Sequence, residues 1–187
     1  HHEQLNQLAS RHVPIVVWGA QLPQQLYCTV GGDNLTGGEL AATHLLEEGR
    51  KRIAFFGDIN LPEVGQRYAG YRRALEKAGI EVDPALQVSV SFLPEGGREA
   101  VEELLARGVP FDAVFAGSDL LAMTAINTMR EHGLCVPGQV AVVGYDDIEL
   151  STYFHPPLST VRQPSRAAGP ALVPSLPELL APRLPPP

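Results

Sequence analysis

Four side chains of this sequence have the types and positions that a binding site for a small polar molecule requires. Each comes at or shortly after the end of a short apolar segment, and they are Arg67, Phe92, Ser118 and Asp146. A guanidinium and a carboxylate form charge-assisted hydrogen bonds with hydroxyl groups, and an aromatic face can cover the C–H side of a sugar ring. The set therefore favours binding of a small, neutral, hydroxyl-rich ligand.

Each of these residues also has a purely structural explanation, and the sequence alone leaves both open. Ser118 can cap the helix that follows it, and Phe92 can pack between lobes as buried aromatic residues do. Arg67 can pair with the Asp58 carboxylate at the surface. Asp146 can form a turn through its own side chain.

Signatures of catalysis are not found in the sequence. It contains no Gly-x-Ser-x-Gly elbow, no His-Glu-x-x-His zinc motif and no Gly-x-x-x-x-Gly-Lys phosphate loop. The six histidines show no i, i+4 pairing, and Cys28 and Cys135 have no metal-ligand spacing. We therefore expect that the protein is not an enzyme and that it has no metal site and no cofactor.

The overall charge limits the partners that this chain can bind directly. The formal net charge is −7 at pH 7, and the longest basic cluster is Arg50-Lys51-Arg52, whereas a DNA-binding surface needs a basic patch. No apolar run approaches the ~18 residues of a membrane span, and the start of the sequence has no export signal. We expect a cytoplasmic protein with no membrane contact, in which DNA is touched only by residues outside this chain.

Alternating strand-like and helix-like segments predict the fold class. Apolar segments typical of buried strands lie at 14–18, 53–57, 87–92, 113–116 and 140–144. Helical spacing fills the gaps between the last four, and a further helix is expected over about 35–48. Each helix is followed by a glycine suited to a left-handed end: Gly49, Gly79, Gly108 and Gly133. Strands joined by one helix run parallel, so the sequence predicts an α/β fold with a doubly wound parallel sheet.

Several motifs follow one another in a distinctive order along the chain. Residues 33–38 read Asp-Asn-Leu-Thr-Gly-Gly, residues 67–71 read Arg-Tyr-Ala-Gly-Tyr, and residues 112–119 read Asp-Ala-Val-Phe-Ala-Gly-Ser-Asp. The most specific pair is Val-Val-Gly-Tyr-Asp-Asp at 142–147 and Pro-Pro-Leu-Ser-Thr-Val-Arg-Gln-Pro at 156–164. In these motifs the sequence resembles the lactose-repressor (LacI/GalR) family of bacterial transcription regulators.

The resemblance covers roughly residues 13–164 and implies a two-lobe, periplasmic-binding-protein-like domain that binds an effector. In that family the positions matching Arg67 and Asp146 contact the effector, and the position of Ser118 commonly does so too. The position of Phe92 stacks on the ligand in purine-responsive relatives. The implied effector is a sugar, a sugar phosphate or a purine-like molecule.

The resemblance also implies a domain organisation with an incomplete amino-terminal lobe. Residues 1–50 correspond to a remnant of that lobe, residues 51–161 to the complete carboxy-terminal lobe, and residues 162–187 to a return segment and a proline-rich, irregular tail. The family's helix-turn-helix headpiece would precede residue 1. The tail departs from the family pattern near Ser165, which suggests a frameshift or a truncation.

The function implied by the resemblance is allosteric control of transcription. Effector bound between the lobes would change their relative angle, and a homodimer would pass the change to headpieces on operator DNA. A solute-binding protein of a sugar importer shares the fold and is the alternative, which an upstream export signal would identify. An enzyme on a doubly wound sheet is a third class, and no motif supports it.

Overall fold

The chain divides into two compact units. The computed structural model describes residues 2–165 and 168–170. One unit comprises His1–Asp33 together with Pro164–Pro187, and the other comprises Asn34–Gln163. The candidate site residues all belong to the second unit.

In residues 2–33, the first unit contains one helix and two short strands. Helix α1 (His2–Ser10) precedes strands β1 (Val16–Trp18) and β2 (Cys28–Val30), which pair in parallel. Strand β1 falls within the predicted segment 14–18, whereas α1 and β2 were not predicted. Helix α1 has no fully buried residue and is only nine residues long, which is shorter than the window over which helical periodicity is recognised.

The second unit alternates helices with strands. Its α-helices are α2 (Asn34–Glu47), α3 (Pro62–Lys77), α4 (Pro94–Arg107), α5 (Asp119–Glu131) and α6 (Glu149–Tyr153). A short 3-10 helix spans Pro84–Leu86. Its strands are β3 (Ile53–Phe56), β4 (Gln87–Val88), β5 (Ala113–Ala116), β6 (Ala141–Asp146) and β7 (Ser159–Arg162). They form one sheet in the order β4-β3-β5-β6-β7, in which every neighbouring pair is parallel.

Helices cover both faces of this sheet. Phe55 and Phe115 point to the face covered by α2 and α3, where they join an apolar cluster with residues of those helices. Phe56, Ala116 and Val142 point to the opposite face and pack with α4 and α5. Because successive side chains of a strand alternate between faces, a strand buried on both sides is apolar throughout. The predicted doubly wound parallel sheet is confirmed.

Glycines end the helices as the sequence predicted. Gly49, Gly79, Gly108 and Gly133 have φ angles between +64° and +83°. This left-handed backbone conformation costs a residue with a side chain roughly 1–2 kcal/mol. The four positions thus fix where each crossover leaves its helix and turns towards the next strand.

Helices α2 and α3 are in contact through their backbones. A Cβ atom added at Gly38 would lie 2.0 Å from the carbonyl oxygen of Arg67, and one added at Gly70 would lie 2.0 Å from that of Leu35. No side chain fits in these two gaps, since carbon and oxygen atoms in contact are more than 3 Å apart. The glycines therefore set the position of Arg67 relative to α2.

Two strands differ from the prediction. Strand β4 ends at Val88, so Phe92 lies in the loop before α4 rather than in a strand. Strand β7 was not predicted from the apolar pattern. It lies at the edge of the sheet, where Ser159 and Arg162 are exposed, so its sequence has no continuous apolar run.

The segment that the sequence assigns to the amino-terminal lobe, residues 1–50, is divided between the two units. Helix α2 packs against α3 and belongs with the second unit. The division into residues 1–50, 51–161 and 162–187 stays a prediction. Most of the proline-rich tail lies outside the described residues. Within residues 2–165 and 168–170, no helix combines the length and the apolarity needed to cross a lipid bilayer.

Candidate functional site

The candidate site lies at the carboxyl ends of the strands of the second unit. Strand β4 lies on one side of β3, while β5, β6 and β7 follow on the other side. The direction of winding thus reverses between β3 and β5, and open parallel sheets bind ligands in the crevice at such a point. Gly57 and Gly117 follow these two strands, and the Gly117 N–H donates to the Phe56 carbonyl.

Arg67, on α3, extends into this crevice and is 4% exposed. Its Nε donates to Asn34 Oδ1 at 3.0 Å, and its Nη1 donates to the Gly117 carbonyl at 2.6 Å. The guanidinium carbon lies 3.8 Å from the centre of the Tyr145 ring, a cation–π contact. Three elements therefore hold the guanidinium in one orientation.

The electrostatics of Arg67 are those of a buried cation beside a carboxylate. Burial lowers the pKa of the guanidinium, and the Asp146 carboxylate opposes that shift. Arginine remains protonated at physiological pH even when its pKa falls, because its ordinary value is above 12. The crevice between β3 and β5 thus carries a fixed positive charge.

Asp146, the last residue of β6, faces Arg67. Its Oδ1 lies 3.9 Å from Arg67 Nη2 and accepts a hydrogen bond from Gln163 Nε2 at 2.6 Å. Burial raises the pKa of the Asp146 carboxyl, while the contacts with Gln163 and Arg67 lower it. The side chain is 31% exposed, so this carboxylate is open to a ligand from one side.

Ser118 lies beside this pair, and its hydroxyl serves the helix that follows. Its Oγ accepts a hydrogen bond from the Leu121 N–H at 3.3 Å, which caps α5, and the residue is 5% exposed. Since the preceding carbonyl, that of Gly117, accepts from Arg67, Ser118 belongs to the same region of the rim. The capping role and a ligand contact remain compatible, because a hydroxyl both donates and accepts.

Phe92 lies farther along the rim, in the loop between β4 and α4, and is 37% exposed. Strand β4 is three strand spacings from β6, roughly 14 Å at about 4.8 Å per spacing. The structure thus groups Arg67, Ser118 and Asp146, while Phe92 is at the other end of the same edge. Arg67 does not pair with Asp58, whose carboxylate instead accepts from the Asn60 backbone and side chain.

Three residues that orient the site were not identified from the sequence. Asn34 belongs to the motif at 33–38, and its side-chain oxygen accepts a hydrogen bond from Arg67. Tyr145 and Gln163 support the two charged residues and lie within the motifs at 142–147 and 156–164. The motifs were the only available signal, since no spacing rule links residues that meet through tertiary packing.

Among residues 2–165 and 168–170, no group of three or more His, Cys, Asp or Glu side chains is arranged to hold a metal ion. The polar groups around Arg67 are hydrogen-bonded to one another. Arg67 and Asp146 thus place a buried cation beside a partly exposed carboxylate, an arrangement suited to a small polar ligand.

The sequence is similar to transcription regulators over most of its length. Residues 42–187 match the family model for a periplasmic binding protein-like domain. Over 160 residues the chain is 40% identical to the HTH-type transcriptional regulator CelR of Thermobifida fusca, and the match covers 84% of this chain and 47% of that protein. The chain spans about half the length of the curated relatives it matches.

Solved structures show the same similarity. A sugar-binding transcriptional regulator of the LacI family from Escherichia coli, complexed with phosphate, has a TM-score of 0.87 at 31% identity; the match covers 100% of this chain and 68% of that chain. A complex of the transcriptional regulator CelR with cellobiose has a TM-score of 0.79 at 33% identity, covering 95% of this chain and 62% of that one. The first match includes every residue of the site described above.

Proposed function

This chain belongs to the periplasmic binding protein-like domain family, in the LacI branch of transcription regulators, and we propose that it is the effector-binding part of a bacterial DNA-binding regulator. The effector is a small molecule rich in hydroxyl groups, with a sugar as the first candidate and a sugar phosphate or a purine as the next. Arg67 and Asp146 are its main polar contacts. Ser118 and Phe92 line the same rim and complete the proposed site.

The observation that carries this proposal is the geometry of Arg67 and Asp146. Their nearest charged atoms are 3.9 Å apart, which exceeds the 2.7–3.2 Å of an N–H···O hydrogen bond. Of the five N–H groups that the guanidinium has, two donate to Asn34 and Gly117, and a further hydrogen bond links the guanidinium to Tyr145. A ligand hydroxyl between the two side chains can accept from Nη2 and donate to the carboxylate, which satisfies both.

A regulator is favoured over an importer's solute-binding protein and over an enzyme. The similar proteins described above are named as transcription regulators. With 21 acidic and 14 basic residues in the chain, operator DNA would be contacted through a helix-turn-helix headpiece elsewhere in the protein. We further propose a cytoplasmic homodimer, since two headpieces reading paired half-sites require two protomers.

Isothermal titration calorimetry of the 187-residue chain tests the proposal. The panel is cellobiose, ribose, ribose 5-phosphate and hypoxanthine. In the variants Arg67→Ala and Asp146→Ala we expect affinity for the tightest-binding compound to fall about 10- to 100-fold, because a hydrogen bond to a charged group contributes about 1.5–3 kcal/mol.

The control is Arg72→Ala, which removes an exposed arginine from the same helix, where it pairs with Glu76. This variant should bind as the unmodified chain does. Unchanged affinity in both site variants would contradict the assignment of Arg67 and Asp146. Binding of hypoxanthine alone would replace the sugar class by the purine class.

A further inference from the structure

Asp119, the first residue of α5, is fully buried and accepts two hydrogen bonds from other elements. Its Oδ2 accepts from the Ile148 N–H at 2.9 Å, and its Oδ1 accepts from the Thr160 hydroxyl on β7. Neither donor belongs to the helix that Asp119 begins. The carboxylate therefore links α5 to β7 and to the turn that follows β6.

The Thr160 hydroxyl continues this network to the neighbouring residue of the turn. Its Oγ1 accepts from the Asp147 N–H at 3.3 Å. Two consecutive amides, those of Asp147 and Ile148, are thus held by one pair of side chains, the buried Asp119 and the partly buried Thr160. These amides directly follow Asp146, the anionic residue of the proposed site.

The backbone of this turn needs such support. Asp146 has φ +116° and Asp147 has φ +55°, a region that residues with side chains rarely occupy. Conformations of this kind are strained and persist only where surrounding contacts hold them. The Arg162 Nε on β7 also donates to the Asp147 carboxylate, on the outer side of the same turn.

Gly144 shows how closely Asp119 approaches β6. A Cβ atom at this position would lie 2.3 Å from Asp119 Oδ1 and 3.2 Å from its Cα. Only glycine leaves room for the carboxylate against the strand. Burial raises the pKa of the Asp119 carboxyl to about 6, and the contacts with Thr160 and Ile148 partly oppose the rise. The fold thus retains this buried acid despite the cost of its desolvation.

We propose that Asp119 and Thr160 are positioning residues, which hold the Asp146–Asp147 turn and thereby aim the Asp146 carboxylate at Arg67 and the effector. The proposal rests on the function proposed above, because its purpose is to orient an effector contact. Neither residue needs to touch the ligand. Their effect is transmitted through the two backbone amides that follow Asp146.

Amide hydrogen exchange of the full 187-residue chain, followed by NMR, tests the hold on the turn without any ligand. The variant is Thr160→Val, which keeps the shape of the side chain and its preference for a strand but removes the hydroxyl. We expect the amides of Asp147 and Ile148 to exchange at least tenfold faster. Thr160→Ser, which retains the hydroxyl, should restore slow exchange.

Thr128→Val is the matched control. Thr128 is 1% exposed, and its hydroxyl donates to the Thr124 carbonyl within α5. This variant should leave the Asp147 and Ile148 amides unchanged. Asp119→Asn is a second variant, at the other residue of the pair. The new side-chain amide has one acceptor oxygen, whereas the carboxylate has two. We therefore expect faster hydrogen exchange at the Ile148 amide or at the Asp147 amide.

Effector affinity completes the test. For the panel compound that binds the unmodified chain most tightly, Thr160→Val should weaken binding about tenfold, Thr160→Ser should restore it, and Thr128→Val should not change it. Unchanged exchange at Asp147 and Ile148 in Thr160→Val would overturn the proposal, and so would faster exchange with unaltered affinity. A different result would contradict the proposed function, namely an affinity of Arg67→Ala for the same compound equal to that of the unmodified chain.

Discussion

At the scale of single residues, the ionisation of Asp119 is coupled to folding. Burial raises the pKa of its carboxyl from an ordinary 3.8 to about 6, and the nearby carboxylates of Asp146 and Asp147 add to the rise. Between these pH values the folded chain binds more protons than the unfolded chain. The contribution of Asp119 to the free energy of unfolding therefore falls as the pH rises through this window.

Urea unfolding from pH 4.5 to pH 7.5 measures this contribution. The difference in unfolding free energy between the unmodified chain and Asp119→Asn should change by about 2 kcal/mol over this range, with the unmodified chain losing stability relative to the variant as the pH increases. Parallel pH profiles would show that Asp119 has an ordinary pKa.

The residues of the site were predictable to different degrees. Arg67 and Asp146 were identified because charged residues at the ends of predicted strands coincide with family motifs. Asn34 and Gln163 were not, because their bonds to those residues join positions 33 and 17 residues apart. Such partners depend on how α2 and β7 pack, which local sequence patterns do not specify.

At the scale of elements, the contact between α2 and α3 places Arg67 in the crevice. We expect Gly38→Ala to lower the free energy of unfolding by about 3 kcal/mol, the upper end of the usual cost of overpacking. Its Cβ would meet the Arg67 backbone at 2.0 Å, and the two helices would have to separate. Urea denaturation, monitored by circular dichroism, gives the change directly.

Gly49→Ala is the control for this substitution. Its Cβ would have no atom within 4 Å, but the residue has φ +83°, so only the backbone strain of about 1–2 kcal/mol is expected. A larger loss at Gly49 than at Gly38 would mean that the helices accommodate the added methyl group. In that case the glycine contact would not determine where Arg67 lies.

The elements with two buried faces were the ones that the sequence predicted well. Strands β3 and β5 are wholly buried and therefore form continuous apolar runs. Strand β7 lies at the edge of the sheet and mixes polar with apolar residues, so a periodicity argument does not detect it. Strand β7 nevertheless supports the candidate site, because Thr160 and the adjoining Gln163 both form hydrogen bonds with the turn that carries Asp146.

At the scale of the whole molecule, the apolar clusters show which part of the chain can fold by itself. Both clusters consist of residues from the unit Asn34–Gln163. One of them includes Ala41, Ala42 and Leu45 of α2, which cover the sheet beside α3. A lobe that starts after α2 would leave this face exposed to water, with the loss of about 25 cal/mol for each Å² of apolar surface.

A comparison of two fragments tests this division. We expect residues 34–163 to unfold in one cooperative transition and to retain the amide spectrum that their residues have in the full chain. Residues 51–161, the lobe delimited from the sequence, should instead lack dispersed amide signals and bind a hydrophobic dye, as a protein with a loosened core does. Cooperative unfolding of 51–161 at the same temperature as 34–163 would show that α2 adds nothing to the core. The boundary inferred from the sequence would then describe the folding unit better than the one at Asn34.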